Sequence, residues 1–88
     1  MRFKQEFVLR NIAGESIIIP ISDANNSFQG VMSLNETGES IWKAIEKGLD
    51  REGIIEVILE EYEVTREHAA ESVDRFLANL NELGILEP

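Results

Sequence analysis

Gly30-Val31-Met32-Ser33-Leu34-Asn35-Glu36-Thr37-Gly38-Glu39-Ser40-Ile41-Trp42-Lys43-Ala44-Ile45 is the stretch in which the hydrophobic period changes from 2 to about 3.6. Val31, Met32 and Leu34 read as a short strand. Asn35 has the short side-chain acceptor that suits a helix N-cap, and Glu36 comes next, where the helix dipole favours negative charge. Leu34, Ile41, Trp42 and Ile45 then form the apolar side of a first helix, and Trp42 carries the largest single block of apolar surface in the chain. The residues before this stretch read as β and those after it as α.

Working back from it, residues 5–12 mix apolar and polar side chains without a helical stripe, and Ala13-Gly14-Glu15 has the composition of a tight turn. Residues 16–21 hold four isoleucines and Pro20, a β-branched run that suits a strand with both faces partly covered. The loop at 22–27 is rich in Ser, Asp and Asn and leads through Phe28 to the third strand at 30–34. These segments predict a three-stranded antiparallel meander.

Working forward, the first helix is predicted over 36–47, with Gly48 just past its end. Asp50 caps a second helix over 51–62, in which Ile54, Ile55, Ile58 and Leu59 oppose Glu56, Glu60, Glu61 and Glu63. Thr65 caps the third and longest, over 66–83. Here Ala69, Val73, Phe76, Leu80 and Leu83 lie within about ±40° of one direction at ~100° per residue. Ala70 and Leu77 extend the apolar surface along one flank, with Asp74 just outside it, while His68, Arg75 and Asn79 occupy the other. Gly84 stops the helix, and Ile85-Leu86 is expected to fold back on the core. The expected architecture is α+β and winged helix-turn-helix-like, with three antiparallel strands followed by three helices. Residues 1–88 read as a single domain with its core centred on Trp42.

The 88 residues carry 17 acidic against 8 basic side chains, a net charge of -9, and the basic ones are scattered. Nucleic-acid affinity rests on neutralising phosphates, so this balance argues against DNA or RNA as partner, and the third helix is itself net negative. A winged-helix DNA-binding or regulatory domain is therefore the alternative reading. No apolar run approaches the ~20 residues a bilayer needs, and the N-terminus lacks a secretory signal, so a cytoplasmic protein without membrane contact is expected. Without cysteine there is no disulfide, thiolate metal site or thiol nucleophile.

The catalytic inventory is thin. His68 is the sole histidine, and its neighbours Glu67 and Glu71 are what a surface helix in an acidic chain presents. Glu60, Glu61 and Glu63 lack the turn glycine and alternating oxygen ligands of a calcium loop. Gly38 belongs to no phosphate loop and is explained as well by close approach of another backbone. An acidic carrier protein holds its cofactor on a serine in an Asp-Ser-Leu turn, whereas Ser40 sits inside a helix. No enzymatic activity, cofactor or metal is expected.

The segment Ser33-Leu34-Asn35-Glu36-Thr37-Gly38-Glu39-Ser40-Ile41-Trp42 resembles the Leu-Asn-x-(small)-(Gly/Ala)-x-x-Ile-(aromatic) block of the PqqD-like proteins, named for the pyrroloquinoline quinone synthesis protein D. Residues 54–62 resemble that family's second helix, and residues 73–80 with Leu83-Gly84-Ile85-Leu86 resemble its closing helix and tail. The resemblance implies a RiPP recognition element. Such a domain binds the leader segment of a ribosomally made precursor peptide and presents it to a modifying enzyme, commonly a radical S-adenosylmethionine enzyme. It implies a leader held as an added strand against the third strand, in a cleft walled by the third helix, which is β-augmentation. On this reading Val31, Met32, Ser33 and Leu34 bind the leader backbone. Ala70, Asp74, Leu77 and Asn81 form the helical wall, with Leu77 at a rim where helix meets sheet. The open strand edges also permit a homodimer through the sheet.

Overall fold

The computed structural model describes residues 1–21 and 30–87, so the loop expected at 22–27 lies outside the described residues. In chain order the elements are β1 (Arg2–Phe3), β2 (Phe7–Ile12), β3 (Glu15–Pro20), β4 (Met32–Leu34), α1 (Glu36–Glu46), α2 (Arg51–Glu61), α3 (Arg66–Glu82) and β5 (Leu86–Glu87). The three expected strands are β2, β3 and β4, and they form one antiparallel sheet in the order β2-β3-β4. Ala13 (φ 53) and Gly14 (φ 84) join β2 to β3 in the two-residue turn with positive φ at both positions, whose twist matches that of a hairpin. Register is set by that turn: Ile12 opposes Glu15, and Leu9 opposes Ile18. On the other side of β3, Ser16 opposes Leu34 and Ile18 opposes Met32.

Each helix begins at the cap its sequence carries. The side chains of Asn35, Asp50 and Thr65 accept hydrogen bonds from the backbone N–H groups of Gly38, Gly53 and His68 at 2.8, 2.8 and 3.1 Å. The third helix ends at Gly84 (φ 73), where the Ile85 N–H donates to the Leu80 carbonyl and the Gly84 N–H to that of Asn81. This pairing satisfies the last carbonyls of the helix and turns Ile85 inward, where it is fully buried.

Arg2–Phe3 and Leu86–Glu87 were not expected as strands. They pair antiparallel, Arg2 opposite Glu87 and Phe3 opposite Leu86, and form a second, two-stranded sheet that joins the two ends of the described chain. Two-residue strands show no period to read; Trp42 is the group that places them. Its indole is 0% exposed, with the Phe3 ring stacked on it at 4.0 Å and the Phe7 ring edge-on at 5.2 Å. Around it gather Ile18 from the sheet, Ile41 and Ile45 from α1, Ile54, Ile55 and Ile58 from α2, and Val73, Leu77 and Leu80 from α3. Among the described residues the buried Trp42 indole N–H has no hydrogen-bond partner.

Candidate functional site

β4 is an edge strand. One edge pairs with β3, and among the described residues no strand pairs with the other. Val31, just before it, is 67% exposed, Ser33 is exposed, and Met32 and Leu34 are half-buried. The unpaired edge offers the row of backbone N–H and C=O groups that an extended peptide needs.

Where β4 ends, a cleft of about 220 Å³ opens between the first turns of α1 and one flank of α3. Asn35, Thr37, Gly38 and Ile41 line it from α1 and its cap, and Ser72, Arg75, Phe76 and Asn79 line it from α3. Gly38 explains the closeness of the two helices. A Cβ there would stand 3.1 Å from Cε1 of Phe76 and 3.1 Å from the Asn35 cap oxygen, so the glycine makes room for a side chain of α3. Phe76, expected in the middle of the core face, is instead half-buried and forms the apolar part of the cleft wall.

The helical wall named from the sequence lies elsewhere. Leu77 is not at a rim: it is 8% exposed and belongs to the core. Ala70 is half-buried against that core, Asp74 and Asn81 are exposed, and none of the four lines the cleft. Asp74 accepts two hydrogen bonds from the Arg51 guanidinium, at 2.7 and 2.9 Å, and Arg66 pairs with Glu56 and Glu52. This flank of α3 therefore faces α2. The hydrogen bond from Arg51 holds the Asp74 carboxyl below the usual carboxylate range and raises Arg51 in turn, while Glu56 raises Arg66. The surplus of apolar surface at Ala70 and Leu77 is real, but the core takes it up: Leu77 belongs to it and Ala70 packs against it. Phe76, Ser72, Arg75 and Asn79, which line the cleft, stand outside the expected wall because that flank is mostly polar; the sequence signal nearest to them is the glycine at 38, which marks where the Phe76 side chain approaches α1.

Other groups weighed in the sequence stand apart from the cleft. His68 is exposed at the start of α3. Among the described residues no three His, Asp or Glu side chains converge to hold a metal ion, and no helix is long and apolar enough to cross a membrane. Both arginines of α3 are engaged by carboxylates, Arg66 by Glu52 and Glu56 and Arg75 by Glu71, so the helix presents no array of cations to a nucleic-acid groove.

Residues 6–86 match the family model for coenzyme PQQ synthesis protein D (PqqD). Two solved structures share the fold. One, "TbiB1 in Complex with the TbiA(beta) Leader Peptide", is 25% identical with a TM-score of 0.79, covering 99% of this chain and 95% of that one. The other, "Lasso peptide synthetase B1 complexed with the leader peptide", is 21% identical with a TM-score of 0.77, covering 99% and 96%. No curated protein sequence matches this chain.

Proposed function

Because the chain belongs to the PqqD family, we infer that it is a peptide-binding module that takes the leader of a ribosomally made precursor peptide as an added strand and presents it to a modifying enzyme. The observation that carries this reading is the unpaired edge of β4 running into the cleft between α1 and α3, in a fold shared with a leader-peptide complex 25% identical in sequence. Main-chain hydrogen bonds along 31–34 supply affinity, and side chains on alternate positions of the peptide reach the cleft, which sets register. The domain contributes binding and orientation, and the covalent chemistry belongs to the partner. A radical S-adenosylmethionine enzyme is the partner we propose, in the cytoplasm where precursor peptides are released. Helical-wall contacts come from Phe76 and Asn79 in place of Leu77, since a buried core leucine cannot touch a peptide without unfolding its surroundings. A homodimer through β4 would use the same edge and compete with the peptide.

The test is amide hydrogen exchange of the domain with and without leader peptides from short reading frames beside its own. Protection arising at residues 31–34 supports strand addition at β4. Protection at the outer edge of β2, or none with any such peptide, would overturn it.

A further inference from the structure

The chain has more than twice as many acidic as basic side chains, yet among the described residues no carboxylate lines the cleft. Of its eight lining residues seven are uncharged and the eighth is Arg75. We propose that Arg75 selects peptides carrying an aspartate or glutamate at the position that lies beside α3. This deepens the peptide-binding reading and rests on it.

The geometry of α3 supports the assignment. Ser72, Arg75 and Asn79, at i-3, i and i+4, share one helix face, so a guanidinium, a hydroxyl and an amide converge on the cleft. The Arg75 side chain is 74% exposed, and one of its terminal nitrogens donates to Glu71 at 2.9 Å. A guanidinium has five N–H donors in a planar fork, so a second carboxylate binds alongside the first. Arg66 and Arg51, the other cations near α3, are both turned to carboxylates on the α2 side. Among the described lining residues an acidic peptide side chain thus meets one cation, through the donors that Arg75 does not give to Glu71, whereas a basic one meets Arg75 itself. Like-charge juxtaposition of that kind rejects partners more strongly than the attractive pair rewards them.

The probe is a displayed library of short random peptides, selected in parallel on the parent domain and on Arg75→Glu. Arg75 is exposed and among the described residues pairs with Glu71 alone, so the variant folds, and a thermal melt checks that it does. The expected result is enrichment of Asp or Glu at one position with the parent and of Lys or Arg at the same position with Arg75→Glu. An enriched acidic peptide should bind the variant about tenfold more weakly, and its Glu→Lys form should recover that loss. Peptides that share a strand pattern but show no charge preference, or keep the acidic one on Arg75→Glu, would overturn this proposal and leave the peptide-binding reading standing. Enrichment of no peptide by either domain would bring down both.

Discussion

Along its axis α3 has one flank built from Ala70, Asp74 and Leu77 and another built from Ser72, Arg75, Phe76 and Asn79. The first is the more apolar and is closed: Leu77 is in the core, and the Arg51–Asp74 and Arg66–Glu56 pairs tie this side to α2. The second is mostly polar and is open, with one half-buried aromatic ring over Gly38. The difference teaches that surplus apolar width on a helix is first a demand for another helix, because leaving it in water forgoes about 25 cal/mol per Å². A ligand cleft keeps what the core did not consume, a few polar groups around one aromatic ring.

The hardest blow to this distinction would come from Leu77→Arg. An unpaired guanidinium in the core should cost several kcal/mol, a large part of the stability of a small domain, and abolish its cooperative thermal melt. A melt within a few degrees of the parent would put Leu77 on the surface and merge the two flanks.

Next in size is a pair of asparagines two residues apart, both exposed and on opposite flanks. Asn79→Glu sets a carboxylate beside the acidic side chain of a parent-selected peptide and should weaken its binding about tenfold, or about 1.4 kcal/mol, while Asn81→Glu should leave it unchanged. Calorimetric titration of both decides between the flanks, and loss confined to Asn81→Glu would place the peptide on the α2 side.

A smaller effect is expected at Gly38. Alanine there gains about 1 kcal/mol of helix propensity but crowds Phe76, so the melting temperature should move little. The ring must shift into the cleft, and peptide affinity should fall a few-fold. Unchanged Phe76 ring resonances in Gly38→Ala would show that the two helices have slack.

Smallest is the ion pair on the closed flank. The Asp74 carboxyl is held below its ordinary range, so the stability it contributes is complete above the unfolded carboxylate's value and fades as the pH falls through the lower folded one. Asp74→Asn should lower the melting temperature slightly at neutral pH and not at all in strong acid. Because the pair is exposed, solvent screens it and the shift is modest. A loss that grows toward acid would reverse the sign and exclude the Arg51 hydrogen bond as its cause.

The local chemistry of the chain was sufficient for every element with a period and a cap. The helices at 36–46, 51–61 and 66–82 begin at Asn35, Asp50 and Thr65 because short side-chain acceptors satisfy the first N–H groups without any tertiary help. The β2–β3 hairpin is likewise dictated by Ala13-Gly14, and the block from Ser33 to Trp42 was enough to indicate the family. Two things depended on tertiary structure alone. The pairing of Arg2–Phe3 with Leu86–Glu87 joins residues 85 positions apart around the Trp42 ring, and strands of two residues carry no periodicity that could announce it. The open side of α3 was settled by which helix packs where: the core takes in Leu77 with Ala70 against it, ion pairs to α2 close that flank, Gly38 lets Phe76 close on α1, and the cleft is the space left between. A sequence records which residues prefer burial, but which of them a neighbour covers is a property of the packed whole.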